Sequence, residues 1–175
     1  MCAPLQHIDI RQAGLALGLA GMAALAGCDR HDETGARSLA AQWFDLGETV
    51  YFNSHSACTA AVFRAKSGAL KAQMPLFSSV EAVMANGRQN AFALSVDGMT
   101  ADQMFIDVMN ADRPTGVAMQ AAGLEARNCM DEATRTAFYN ALRTEGGVVV
   151  FSREAGAFAV LDPQSGLVVL TSGAV

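Results

Sequence analysis

The densest grouping of reactive side chains in this sequence is Ser54-His55-Ser56-Ala57-Cys58. An imidazole beside two hydroxyls and a thiol could act as a general base, taking a proton from a hydroxyl or from Cys58 to make a nucleophile. Side chains adjacent in sequence rarely face one another, so a polar turn with a solvated His55 is the competing reading. Of the 3 His, His7 and His31 lie close to the N-terminus, which leaves His55 to carry any folded histidine site. The chain also holds 9 Met. Thioethers bind Cu(I), but Met74, Met84, Met99, Met104, Met109, Met119 and Met130 are dispersed without Met-x-x-Met clustering, and methionine readily fills irregular cores. Asp102, Asp107, Asp112, Asp131 and Glu132 read as solvated helix faces and caps. Trp43, Tyr51 and Phe52 would either line a ligand groove or anchor the start of the core. There is no His-Glu-x-x-His, Gly-x-Ser-x-Gly, phosphate-binding loop, Cys-x-x-Cys or EF-hand spacing. The expectation is no catalytic residue, no metal and no cofactor, with a hydrolase-type centre at His55 as one alternative.

The other chemically distinctive stretch is N-terminal. Ala13 to Ala26 is an uncharged run of 14 residues, within the 7–15 of a signal-peptide apolar region and short of the roughly 20 that span a bilayer. It ends in Leu25-Ala26-Gly27-Cys28, followed at once by Asp29-Arg30-His31-Asp32-Glu33. This pattern resembles the lipobox of bacterial lipoproteins. The resemblance implies cleavage between Gly27 and Cys28, a diacylglycerol on the Cys28 thiol, and a further fatty acid such as palmitate on the new amino terminus. It covers residues 13–28 only; the remainder resembles no family. Asp29 resembles the inner-membrane retention signal of enterobacterial lipoproteins, which implies a domain held on the periplasmic face of the inner membrane in the cell envelope.

With residues 1–27 removed, 148 of the 175 residues remain, enough for one domain with its own core. Of the 4 Cys, Cys2 leaves with the signal and Cys28 takes the lipid, so Cys58 and Cys129 remain. In an oxidising compartment such a pair is expected to form a disulfide; two separate buried thiols are the alternative. The bridge would close a loop of 71 residues, for which loop entropy gives roughly 4 kcal/mol as an upper figure. A net charge of -5 and a pI near 5.1 disfavour nucleic acid and anionic headgroups, which favour a basic surface.

The elements that would position these groups are read as follows. Residues 28–37 are short, polar and Gly-containing, like a flexible tether, and 38–175 form the globular domain. Ser38 reads as the cap of a helix carrying Leu39, Trp43 and Leu46 on one face and stopping at Gly47. Thr49 to Asn53 reads as a strand; Thr59 to Ala65 fits a returning strand or a helix. Helices are expected over Val80–Met84, from Thr100 through Met109 to a break at Arg113-Pro114, from Thr115 to Leu124, and after Asp131. The last should bury Ala133, Ala137, Phe138, Ala141 and Leu142. A strand at Ala91–Val96 lies among them. Val148–Ser152, Ala157–Leu161 and Leu167–Thr171, separated by turn chemistry, read as an antiparallel three-stranded meander. The fold class is therefore α+β, with a mainly antiparallel sheet and several helices mid-chain.

The resulting expectation for function is a lipid-anchored, non-enzymatic accessory or assembly factor, attached to the membrane through its N-terminal lipid and paired with an envelope protein. No nucleic acid and no metal is expected as a partner. A small-ligand or peptide binding module is a second alternative.

Overall fold

Three runs near the C-terminus set the architecture because they are apolar in nearly every position. In the computed structural model, which describes residues 31–55, 57–71, 73–86 and 91–173, these are β5 (Val148–Ser152), β6 (Ala157–Asp162) and β7 (Leu167–Gly173). Continuous burial along all three marks the middle of a sheet covered on both faces. They join β1 (Phe44–His55), β2 (Cys58–Leu70), β3 (Leu76–Phe77) and β4 (Ala91–Leu94) in a seven-stranded sheet of order β1-β2-β7-β6-β5-β4-β3. All neighbours are antiparallel except β3 and β4. The fold is α+β, with the helices mid-chain and the β5-β6-β7 meander at the C-terminal end.

Side-chain alternation divides the core into two layers. Cys58, Ala60, Val62, Phe92, Val149, Phe151, Phe158, Val160 and Val169 face one way. They meet buried residues of α2 (Val80–Ala85), α3 (Ala101–Ala111), α4 (Arg113–Gly123), the 3-10 helix Leu124–Cys129 and α5 (Glu132–Arg143). Ala61, Phe63, Ala93, Val150, Ala159, Leu161, Val168 and Leu170 face the other way. There they cluster with Ala36, Ala40 and Trp43 of α1 (Glu33–Trp43), with Phe44 and Leu46 of β1, and with Leu70 and Met74. Register shifts between Phe44 and Tyr51 interrupt the β1–β2 ladder, and such bulges bend a ribbon, letting its far end fold into this second layer.

The sequence signals fare differently at the two ends. α1 begins at Glu33, capped by the Asp32 carboxylate accepting from the Gly35 N–H at 2.6 Å, and not at Ser38. Its buried stripe is Ala36, Ala40 and Trp43 at helical spacing, so residues 33–37 are helix where the composition suggests a flexible tether. Leu46 and Gly47 belong to β1. Small residues account for the difference: two alanines make an apolar face that resembles linker composition. β2 resolves the strand-or-helix ambiguity through its ladders to β1 and β7. α4 starts at Arg113 rather than Thr115, with Asp112 as cap and Pro114 in the first turn, where a missing N–H costs no helix bond. In α5 the buried stripe includes Thr134, Phe138, Ala141 and Leu142, while Ala133 is exposed. Gly27, Cys28 and Asp29, with the cleavage, lipid and sorting roles expected of them, lie outside the described residues.

Candidate functional site

The β1–β2 hairpin carries the candidate residues because the strand period places them. Tyr51, Asn53 and His55 alternate along β1 and therefore share one face, the face that Cys58 occupies across the ladder, where His55 pairs with Cys58. All three reach towards the end of the 3-10 helix or its bridge. The Tyr51 hydroxyl donates to the Cys129 carbonyl at 2.8 Å, and the Asn53 amide donates to the same oxygen at 3.2 Å. The Tyr51 oxygen in turn accepts from the Asp131 N–H at 3.2 Å. His55 Nε2 lies 3.5 Å from Cys58 Sγ.

Cys58 and Cys129 form a disulfide, with Cα atoms 6.0 Å apart, within the range such bridges occupy. It links the hairpin to the helical layer, and both residues are buried. His55 Nε2 and the two sulfurs lie within 4.8 Å of one another. The sulfur–sulfur bond commits both sulfurs, removing two thiolates from any metal-ligand set and removing the thiol that His55 could activate. The neighbouring hydroxyl is not aimed at the imidazole either. Ser54 projects to the opposite face, where its Oγ lies 2.7 Å from Thr59 Oγ1 and accepts from the His31 N–H at 3.3 Å. Ser56 lies outside the described residues. His55 is exposed, and its Nδ1 accepts from the Ala57 N–H at 3.4 Å.

The Cys129 carbonyl thus has both lone pairs occupied by β1 side chains, which is the complete capacity of a backbone acceptor. This arrangement clamps one backbone segment against another. In the sequence Tyr51 stands out only as an aromatic, and Asn53 carries no signal of its own. Their period-two spacing with His55 is what groups them, but the sequence does not mark what they face.

Asp131 caps α5, accepting from the Thr134 N–H at 2.7 Å. That backbone bond, then the Thr134 hydroxyl and the nearby Arg135 charge, hold its carboxyl below the ordinary value. Five of the described methionines are packing groups: Met104, Met119 and Met130 are buried in the helical layer and Met84 and Met99 pack against it. Trp43 anchors the second layer.

Two open grooves lie away from the bridge. One, about 550 Å³, runs between α1 and the β5–β6 turn; its apolar lining includes Leu39, Trp43, Met74 and Ala155, and Gln42, Gln73, Ser152 and Glu154 are polar. The other, about 720 Å³, lies between α5 and the β6–β7 turn and includes Asn140, Arg143, Asp162, Gln164 and Ser165. No family model, curated protein or solved structure matches this chain.

Proposed function

We propose that this chain is a lipid-anchored envelope protein whose folded domain serves, without catalysis of its own, as an accessory or assembly factor for a membrane or periplasmic complex. The observation that carries the reading is the Cys58–Cys129 bridge. A buried disulfide persists in oxidising compartments, and it accords with export directed by the lipobox-like residues Leu25 to Cys28. Asp29 favours retention at the inner membrane. The bridge and the Tyr51–Cys129 clamp make the hairpin end a rigid unit, suited to holding a docking surface in fixed relation to an anchor.

The test is the non-reducing intact mass of protein extracted from membranes. The expected mass is that of residues 28–175 plus lipid, two hydrogens lighter for the bridge. An unlipidated chain with free thiols would overturn the reading. For the accessory role, cross-linking in intact cells followed by purification in mild detergent should return one partner in fixed stoichiometry. A protein recovered alone in repeated preparations would count against that role.

One observation favours a second reading, a module that binds a small ligand or peptide. The groove beside Trp43 is a concave site lined by apolar side chains, Leu39, Trp43 and Met74, together with polar ones, Gln42, Gln73 and Glu154, and clefts that offer both kinds of group can bind ligands. A Trp43 fluorescence change that saturates on titration with a ligand library, and is lost in a Met74→Glu variant, would support it.

A further inference from the structure

The start of the described chain is pinned to a particular end of the sheet. The His31 N–H donates to Ser54 Oγ at 3.3 Å, and α1 begins two residues later. Ser54 is at the tip of β1, one residue from the hairpin turn. Cys28 precedes His31 by three residues, and an extended chain covers at most about 3.6 Å per residue, so no more than about 11 Å of chain can separate Cys28 from His31. A tether of ten residues would let the domain rotate freely above a bilayer; because α1 takes up residues 33–37, only residues 28–32 remain to link the Cys28 position to the first helix.

We propose that the hairpin end of the domain, comprising His55, Ala57, Arg127 and Asn128, rests against the bilayer surface, and that the β6–β7 turn points away from it. The proposal rests on the lipid-anchor reading of Cys28. Ala57, Arg127 and Asn128 line one surface depression, and the Cys58–Cys129 bridge fixes the hairpin and 3-10 helix as a single end of the molecule. Strand register places the opposite end. Thr59 pairs with Ser172 on β7, whereas the β6–β7 turn follows the Asp162–Leu167 pair at the other end of that strand. The two levels are separated by five residues of β7, about 17 Å. The groove between α5 and the β6–β7 turn would consequently open towards the periplasm, where a partner could reach it.

The orienting agent is the covalent anchor and not headgroup charge, since the chain is acidic at -5. Arg127 is accompanied by Glu125 at the same depression. The orientation should therefore be the same on zwitterionic and on anionic vesicles and insensitive to salt, unlike a polybasic attachment.

The experiment uses the natively lipidated protein in phosphatidylcholine vesicles containing brominated chains. Trp43 is the single tryptophan, so in a Trp43→Phe background one reporter is introduced by His55→Trp and another by Gln164→Trp. Bromolipid should quench the first at least twofold more than the second. Equal quenching, or stronger quenching at position 164, overturns the orientation while leaving the anchor intact. A chain whose mass lacks lipid and which fails to float with vesicles overturns the anchor and the orientation together. Because Trp43 is buried, a second measurement avoids its replacement: hydrogen exchange of the unsubstituted lipidated protein, in vesicles against detergent. Added protection should fall on 54–58 and 124–129 and not on 162–167; the reverse pattern overturns the proposal.

Discussion

Tyr51 and Cys129 are 78 residues apart in sequence, yet the Tyr51 hydroxyl donates to the Cys129 carbonyl at 2.8 Å. The contact joins the edge strand to the residue that carries the disulfide, and Asn53 fills the second lone pair of the same oxygen. Tyr51→Phe keeps the ring and deletes only the hydroxyl. It should destabilise the domain by about 1 kcal/mol, the usual net value of such a bond. Asn53→Ala should cost less, since Tyr51 still serves the carbonyl. The double variant should exceed the sum of the two, because only then does the buried Cys129 segment lose both donors. Urea denaturation of the four proteins measures this, and strict additivity would show that the two donors act independently.

The bridge itself has a larger expected effect. It closes a span of 71 residues that contains β2, β3, β4, three α-helices and the 3-10 helix, so its loss frees a large part of the unfolded chain. Replacing Cys58 and Cys129 together by Ala should lower stability by up to about 4 kcal/mol. Comparison of oxidised, reduced and Cys-free proteins in urea separates the bond from the packing of the two side chains. If reduction shifts the midpoint no more than Tyr51→Phe does, the hydrogen-bonded clamp and not the bridge holds this end together.

Legibility in the sequence followed burial pattern. β5, β6 and β7 are mostly apolar runs, buried at every position but Leu167 and bounded by turn residues, and each is readable with nothing else known. α3 is equally clear because Thr100 and Gln103 form a reciprocal capping box, a signal written in two residues. α1 starts earlier than its sequence suggests because its buried face is built mostly from Ala36 and Ala40, and alanine carries little apolar contrast. β3 is two residues long, Leu76–Phe77, and takes its identity from pairing with β4, a tertiary fact that local periodicity does not contain. For the candidate site, parity of cysteines indicates Cys58 with Cys129, but the Tyr51 and Asn53 bonds depend on where the 3-10 helix sits, which no local pattern encodes.

A pH dependence follows from Asp131. Its carboxyl is held below the usual 3.8, first by the Thr134 backbone N–H, then by the Thr134 hydroxyl and Arg135. A folded value lower than the unfolded one means the charged cap stabilises the fold at pH above the unfolded value. That contribution is lost as pH falls from about 3.8 through the depressed folded value. Asp131→Asn retains an acceptor for the cap and does not titrate. Below the usual carboxylate range the thermal midpoint of the wild-type chain should therefore fall more steeply than that of Asp131→Asn. Parallel curves would mean that the cap works as a hydrogen-bond acceptor with no contribution from charge.

The packing of α3 against α4 gives a sharper mutational contrast. A Cβ built on Gly116 would lie 2.5 Å from Met109 Cα and 2.8 Å from Met109 Cβ, so the obstruction includes backbone and cannot be relieved by a rotamer change. At Gly123, in the same helix, the nearest atom is Phe158 Cδ1 at 3.3 Å, and ring atoms can give by a few tenths of an ångström. Gly116→Ala gains helix propensity, about 1 kcal/mol in an interior position; Gly123 is the last residue of α4, so its gain is smaller and is offset by the displacement of the Phe158 ring. At Gly116 that gain is opposed by overpacking of about 1–3 kcal/mol or more, because a methyl group there could be accommodated only if the two helices moved apart. Gly116→Ala should lower the thermal midpoint by several degrees, whereas Gly123→Ala should leave it nearly unchanged. Equal midpoints for the two would mean that α3 and α4 stand further apart than this packing requires, and the buried contacts of Met104 and Val108 would then need to be reconsidered with them.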